Sequence, residues 1–254
     1  MKVAKFGGTS LASAEQIKKI CAIINSAPAR TLVVVSAPGK RSSDDTKVTD
    51  LLIEMARARL TKRDGREELA RAVARYAEIV RDLGLPDSAL EPMVTDLASL
   101  LALPTDDESL YMDTIKAGGE DNSARLVADY LRHDGIEAHY IDPGDAGMIL
   151  SDEPGNARVL QQSYGKLREL KERPGISVFP GFFGYAASGK VVTFPRGGSD
   201  ITGAILSAAV DAEVYENFTD VDSVFVANPS LVDLSLIHIS ETTSLGMSSY
   251  AVFC

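Results

Sequence analysis

The first candidate site is a lysine beside a pair of glycines near the amino terminus, in the run Lys5-Phe6-Gly7-Gly8-Thr9-Ser10. Glycines let the backbone approach a phosphate closely, while the lysine and the two hydroxyls supply a cation and hydrogen-bond donors. A short apolar segment precedes the run and a helical pattern follows it, so a helix amino terminus adds further donors for an anion. The run is therefore suited to binding a phosphate group.

A second candidate site, Arg196-Gly197-Gly198-Ser199-Asp200, places a guanidinium, a flexible backbone and a carboxylate close together. The guanidinium can hold a carboxylate through two parallel hydrogen bonds, and the aspartate can face a metal-bearing phosphate. Two more polar runs that follow apolar segments are Ser36-Ala37-Pro38-Gly39-Lys40 and Thr219-Asp220-Val221-Asp222. Each run alone is consistent with an ordinary turn. Ligands of open α/β sheets bind outside the carboxyl ends of strands, so the four runs together predict one phosphate-binding site.

The sequence lacks the motifs of other common nucleotide-binding and metal-binding sites. Gly39-Lys40 has no upstream Walker glycine, and the chain contains no GxG motif for a dinucleotide fold. Phe225 and Leu231 stand where a calcium loop beginning at Asp220 requires glycine and glutamate. The histidines lie in unrelated stretches and the cysteines form no CxxC pair, so we expect no metal ion held by the protein itself.

Alternating strand and helix patterns position these runs. Continuous or nearly continuous apolar segments predict strands over 3–6, 32–35, 138–141, 176–179, 191–194 and 214–218. Apolar residues at helical spacing predict helices after Ser13, over 123–133, over 157–172 and over 199–210, and a helical subdomain over about 48–116 that is interrupted at 64–65 and 84–86. The alternation predicts an α/β fold, a three-layer αβα sandwich with a mostly parallel central sheet.

Composition sets wider limits on partners and location. The 254 residues are 45% hydrophobic and 24% charged, which is typical of a folded globular protein. A net charge of −10 argues against a nucleic-acid partner. No apolar run approaches the roughly 20 residues of a membrane helix, and no signal-peptide core is present. We therefore expect a cytoplasmic protein with no membrane partner.

Taken together, the motifs resemble those of the aspartokinases, in the amino acid kinase superfamily. The resemblance covers residues 1 to about 233 and rests on KFGGTS at 5–10, VVSAPGK at 34–40, FGYAASGKVVTFPRGGSD at 183–200, Thr49-Asp50, Gly119-Glu120 and Thr219-Asp220-Val221-Asp222. It implies the amino acid kinase fold with a helical subdomain insertion. It also implies ATP-dependent phosphorylation of the side-chain carboxylate of L-aspartate to 4-phospho-L-aspartate, the first step of lysine, threonine and methionine biosynthesis.

The resemblance further implies roles for individual residues. Lys5 and Asp200 would be catalytic, with Lys5 and nearby backbone amides on the transferring phosphoryl group. Glu120 would pair with the ammonium of aspartate and Arg196 with its α-carboxylate. The other acceptor contacts would be Ser36, Thr49, Gly197, Gly198 and Ser199. ATP, which carries Mg²⁺, would be bound by Lys5, Phe6, Gly7, Gly8, Ser10, Thr219, Asp220, Phe225 and Ser230.

The end of the chain departs from the family pattern. Phe225 stands where tyrosine is usual, and Ser230 stands where many members carry an arginine. The tail over 234–254 matches neither the family's next helix nor its paired regulatory ACT domains. We therefore expect a truncated chain, weakly active or inactive, whose tail lies outside the working fold and which lacks the regulatory dimerisation domains, with a homo-oligomer left open. The alternative functions are another amino acid kinase or a nucleotide-binding but inactive fragment.

Overall fold

The computed structural model describes residues 1–219, 240–242 and 248–252, and it describes Thr219 and the last two ranges by their backbone alone. The strands are β1 Lys2–Phe6, β2 Arg30–Val35, β3 Ala138–Tyr140, β4 Ile149–Leu150, β5 Ile176–Pro180, β6 Phe183–Ala186, β7 Val191–Thr193, β8 Val214–Thr219, β9 Ser240–Thr242 and β10 Ser248–Val252. The α-helices are α1 Ala14–Asn25, α2 Val48–Leu60, α3 Arg66–Leu83, α4 Glu91–Leu101, α5 Glu108–His133, α6 Ser163–Leu167 and α7 Gly198–Ala209. Short 3₁₀ turns cover Gly8–Leu11, Asp87–Ala89 and Arg168–Glu172.

The central sheet has the strand order β3-β5-β2-β1-β8-β10-β9. Its first five strands are parallel, which confirms the predicted sheet, and β10 is antiparallel to both β8 and β9. Alternate residues of the central strands enter two separate cores: Ala4 and Val33 pack with the α1, α2, α3 and α5 side, whereas Val3 and Val34 pack with the α7 side. The three-layer arrangement is therefore the one predicted from the alternating pattern.

The strand predicted over 191–194 forms, but it belongs to a second sheet of order β4-β6-β7. In that sheet β7 pairs antiparallel with β6 and not in parallel. The reason is the length of the connection, because the short link after β6 permits a hairpin, whereas a parallel neighbour needs a crossover of a dozen residues or more. Strands β4 and β6 were not predicted.

The predicted helices differ in accuracy. Ser13 caps α1 through a hydrogen bond from the Gln16 N–H to its Oγ, and α2, α3 and α4 are separated at the predicted interruptions. The helix predicted over 157–172 is wrong in its first part, because residues 157–162 form no helix and Val159 forms a bridge with Leu150. The helix predicted over 123–133 is only the end of the 26-residue α5.

Two glycines inside α5 explain why its length was underestimated. Glycine disfavours a helix interior, yet packing requires it here. A Cβ on Gly118 would lie 2.5 Å from Leu100 Cδ1, and one on Gly119 would lie 3.1 Å from Ala37 Cβ. Tertiary packing thus outweighs local propensity and carries Glu120 into the middle of a buried helix.

The carboxyl-terminal segment adds β10 and β9 beside β8 through backbone pairing. The boundary predicted at residue 233, and the subdomain limits of 48–116, stay predictions. Within the described part of the chain, no helix has both the length and the apolar character needed to cross a bilayer.

Candidate active site

A cavity of about 600 Å³ opens where β1, β2 and β7 end and α7 begins. We call it the strand-end cavity. It is lined by Lys5, Gly7, Gly8, Ser36, Thr49, Asp50, Ile53, Lys116, Glu120, Gly155, Phe182, Thr193, Phe194, Arg196, Gly197, Gly198, Ser199 and Asp200. Its position agrees with the expectation that ligands bind outside the carboxyl ends of parallel strands.

Lys5 is the cation at the inner end of the cavity. Its side chain is 9% exposed, and its Nζ lies 2.7 Å from Oδ1 of Asp200, whose side chain is about half exposed. Asn217, the partner of Lys5 across the β1–β8 ladder, donates a hydrogen bond of 3.1 Å to the same oxygen. These contacts hold the ammonium at the strand end, where it can face an incoming anion.

The two glycine-containing strand-end loops touch each other. The Gly39 N–H donates to the Gly8 carbonyl at 2.7 Å, and a Cβ on Gly39 would lie 2.6 Å from the Gly8 carbonyl carbon. The Gly7 N–H donates to the Phe218 carbonyl at 3.3 Å. Of the backbone amides expected near the phosphoryl group, that of Gly7 is therefore already paired within the protein.

We expect Gly39→Ala to displace the Gly8 loop, because the added methyl group collides with backbone atoms that cannot rotate away. Overpacking of this kind costs about 1–3 kcal/mol in stability. The variant should have a lower melting temperature and weaker ATP affinity in titration calorimetry. Gly165→Ala is the matched control, since nothing lies within 4 Å of a Cβ at Gly165. Unchanged ATP affinity in Gly39→Ala would show that the loop contact does not shape the nucleotide site.

Glu120 is a buried carboxyl group that faces the strand-end cavity from α5. The residue is 7% exposed, and its Oε2 has no hydrogen-bond partner among the described residues. Burial raises the pKa of Glu120 to about 8, against the opposing effects of the Lys5 charge and a hydrogen bond from the Ala37 N–H. A buried acid with an unpaired oxygen provides a site for a cationic group of a ligand.

The beginning of α7 supplies the opposite wall. Gly197, with φ of +87°, turns the chain into the helix, and a Cβ on Gly198 would lie 2.6 Å from the Phe182 ring. Helix amino termini favour anions through their free N–H groups and dipole. Arg196 is exposed immediately before this turn. The wall therefore combines an exposed guanidinium with a positive helix end.

Most of the predicted site residues converge on this cavity. It contains Lys5, Gly7, Gly8, Ser36, Thr49, Glu120, Arg196, Gly197, Gly198, Ser199 and Asp200. Phe6 and Ser10 do not line it: the Phe6 side chain is fully buried and stacks on Phe218 with 4.7 Å between ring centroids, and Ser10 is 3% exposed. Phe6 therefore has no side-chain surface for ATP. Thr219 ends β8, where only its backbone is described, and Asp220, Phe225 and Ser230 lie outside the described residues.

Several lining residues were missed by sequence analysis. They are Asp50, Ile53, Lys116, Gly155, Phe182, Thr193 and Phe194. Lys116 lies one helical turn before Glu120, so helical spacing on α5 could have indicated it. Gly155 carried no signal, and Thr193 lay in the 183–200 motif without being singled out, because both reach the cavity through the small second sheet and its loop. Within the described part of the chain, no three His, Cys, Asp or Glu side chains come together as a metal-binding group.

Comparison with known proteins agrees with the motifs. A model of the amino acid kinase family matches residues 1–251. Aspartokinase 3 of Bacillus subtilis is 48% identical over 257 residues, which cover 100% of this chain and 57% of the relative. This finding confirms the resemblance to aspartokinases. The chain spans about half the length of the curated relatives that it matches.

Solved structures show the same likeness in three dimensions. The aspartate kinase of Clostridium acetobutylicum is 34% identical with a TM-score of 0.72, and the match covers 92% of this chain and 50% of that one. E. coli aspartokinase III in complex with aspartate and ADP is 27% identical with a TM-score of 0.73, with 92% of this chain and 52% of that one covered. The predicted fold is thereby confirmed.

Proposed function

The chain belongs to the amino acid kinase family, and we propose that it transfers the γ-phosphoryl group of ATP to the side-chain carboxylate of L-aspartate. The observation that carries the proposal is the charge arrangement of one cavity: buried Glu120 on α5, Arg196 before α7, and Lys5 beside Asp200 at the end of β1. The aspartokinase III structure with aspartate and ADP supports the same substrates.

The acceptor is a zwitterion with an additional carboxylate, and the cavity has one group for each of the two α-substituents. Glu120, once ionised, pairs with the ammonium, while the guanidinium of Arg196 holds the α-carboxylate through two hydrogen bonds. Thr49, Ser36 and the 197–199 backbone complete the acceptor contacts. Held at both α-substituents, the amino acid presents its side-chain carboxylate to the phosphoryl group, which is the positioning that phosphoryl transfer requires.

On the donor side, a carboxylate oxygen attacks the γ-phosphorus and ADP leaves. The transition state spreads negative charge over the phosphoryl oxygens, and fixed cations and amides lower its energy. Lys5, the Gly8 amide and the amino end of α7 supply these charges, and Asp200 holds Lys5 in place. Mg²⁺ carried by the nucleotide would neutralise part of the charge on the phosphates. The half-exposed Asp200 carboxylate has the oxygen chemistry that suits such an ion.

Aspartate-dependent ADP release by the full chain tests this function. A coupled assay should show ADP formation with L-aspartate, and hydroxylamine should trap the acyl phosphate as a hydroxamate. N-acetyl-L-aspartate, which lacks the ammonium, should be a poor acceptor because Glu120 then has no cationic partner. ATP hydrolysis without aspartate, or nucleotide binding without turnover, would refute the proposal in favour of another acceptor or an inactive nucleotide-binding fragment.

We expect Arg196→Lys to weaken aspartate and spare ATP. Lysine keeps the charge but loses the planar fork, so the KM for aspartate should rise at least about tenfold while the KM for ATP changes less than about twofold. Steady-state kinetics with each substrate varied in turn measure both constants. Arg158→Lys is the matched control, since Arg158 is exposed, pairs with Glu153 and does not line the cavity. Equal changes in both constants would argue against the assignment of Arg196 to the acceptor.

A further inference from the structure

Asp113 is a carboxylate on α5 that is buried behind the wall of the strand-end cavity. Its side chain is 2% exposed, and it is not among the lining residues. Its Oδ2 accepts hydrogen bonds from the Gly155 N–H at 2.7 Å and the Thr193 N–H at 2.8 Å, and its Oδ1 lies 3.4 Å from the Lys116 ammonium. A carboxylate this deeply buried depends on such partners, because an unpaired buried charge is strongly unfavourable.

All three partners of Asp113 line the strand-end cavity. Thr193 is the last residue of β7 and precedes Arg196 by one short turn of chain. Glu120 follows Asp113 on α5 by seven residues, which is nearly two helical turns and places both on one face of the helix. Asp113 therefore joins the helix that carries Glu120 to the strand that leads to Arg196.

We infer that Asp113 is a positioning residue that sets the spacing between Glu120 and Arg196 and thereby selects the handedness of the amino acid acceptor. The inference rests on the proposed function. An acceptor held at its ammonium, its α-carboxylate and its reacting carboxylate is bound at three points, and three points distinguish L from D forms. The L and D forms are distinguished only while the distance between Glu120 and Arg196 is fixed. Asp113 supplies the polar contacts that fix this distance.

The test compares Asp113→Ala with Asp113→Asn in the full chain. Alanine removes all three contacts, and we expect the KM for L-aspartate to rise at least about tenfold, the KM for ATP to change less than about twofold, and the preference for L- over D-aspartate to fall at least about fivefold. In Asp113→Asn the amide oxygen still accepts from both backbone N–H groups, so the preference for the L form should largely return. Loss of stability alone would not change stereoselectivity.

The control is Asp96→Ala. Asp96 also bonds to α5, by accepting a hydrogen bond from Asn122 at 2.8 Å, and it does not line the cavity. This variant should keep the preference for L-aspartate. If Asp113→Ala does not fold, Asp113→Ser replaces it, since its shorter hydroxyl cannot make the same set of contacts.

Hydrogen–deuterium exchange of the ligand-free chain tests the positioning role of Asp113 independently of whether the chain phosphorylates aspartate. We expect the Thr193 and Gly155 amides to exchange faster in Asp113→Ala and to stay protected in Asp96→Ala. Unchanged exchange, or unchanged stereoselectivity in a folded Asp113→Ala, overturns the positioning role even if the parent is an aspartate kinase. A parent chain without aspartate-dependent ADP release overturns the proposed function and acceptor selection together, whatever the exchange data show.

Discussion

Replacing Lys5 with methionine is expected to lower the rate of phosphoryl transfer at least about a hundredfold while the chain stays folded. The ammonium is the cation that Asp200 fixes at 2.7 Å at the end of β1, where negative charge develops during transfer. Methionine keeps the apolar stem inside the sheet, and the half-exposed Asp200 remains hydrated, so the melting temperature should change by only a few degrees. Single-turnover rates and thermal unfolding measure the two effects.

Lys2→Met is the matched control for this substitution. Lys2 lies on the same strand and also pairs with a carboxylate, its Nζ being 3.0 Å from Glu216 Oε1, but it does not line the strand-end cavity. Its loss should leave the transfer rate nearly unchanged. If both variants lose the same activity, Lys5 acts through the stability of the sheet, and its assignment to the phosphoryl group is wrong.

The chemistry of the strand ends was predictable from sequence because it depends on local rules. A lysine inside an apolar run, followed by two glycines and a capped helix, indicates an anion site without knowledge of the rest of the fold. The parallel β1–β2 pairing then brings Ser36, which follows β2, to the same strand-end cavity as Lys5, as the alternating pattern implies. The position of Arg196 before a predicted helix made it a candidate, and the resemblance to the aspartokinases assigned it to the α-carboxylate.

Glu120 was not predictable as a site residue from its local sequence. In the sequence it is one acidic residue in a helical stretch, and only the resemblance to the aspartokinases distinguished it. Its burial results from close packing of Gly119 against Ala37, a contact between residues far apart in the chain. Asp113 was even less predictable from the sequence, because its partners Gly155 and Thr193 are 42 and 80 positions away. Hydrogen bonds over such distances leave no periodic pattern.

The second sheet shows a related limit. Apolar alternation indicated a strand at β7, but pattern alone does not say which sheet a strand joins. The hairpin with β6 and the left-handed conformation of Phe182, with φ of +73°, direct the chain away from the central sheet. The Phe182 N–H is held by the Thr202 hydroxyl at 3.0 Å, so α7 supports this turn beside the cavity.

The raised pKa of Glu120 makes aspartate binding a proton-linked event. With a pKa of about 8 in the ligand-free chain, only about a tenth of Glu120 is ionised at pH 7. The ordinary value is 4.5, so the unfolded chain releases this proton at lower pH than the folded chain. The contribution of Glu120 to stability is therefore full below about pH 4.5 and is lost as the pH rises through about 8.

The ligand-free chain favours the neutral form of Glu120, whereas bound aspartate favours the ionised form. The reason is that the ammonium of aspartate pairs with the ionised carboxylate and not with the neutral acid. The affinity for L-aspartate should therefore increase on the order of tenfold between about pH 6.5 and 8, as the fraction of ionised Glu120 grows. Binding at pH 7 should release close to one proton, measured by calorimetry in buffers of different ionisation enthalpy. Glu120→Gln should bind aspartate weakly, with neither pH dependence nor proton release over this range.

Glu54→Gln separates a specific effect of Glu120 from a general change in charge. Glu54 lies on α2, pairs with Arg71 and is 46% exposed, so its replacement should leave both the pH dependence and the proton release intact. Lys5→Met provides a second check, since removal of the charge that lowers the pKa of Glu120 should move the pH dependence to higher pH. An affinity that stays flat between about pH 6.5 and 8 in the parent chain, with no proton released, would mean that Glu120 is already ionised before aspartate arrives, and that the ammonium finds a preformed anion instead of creating one.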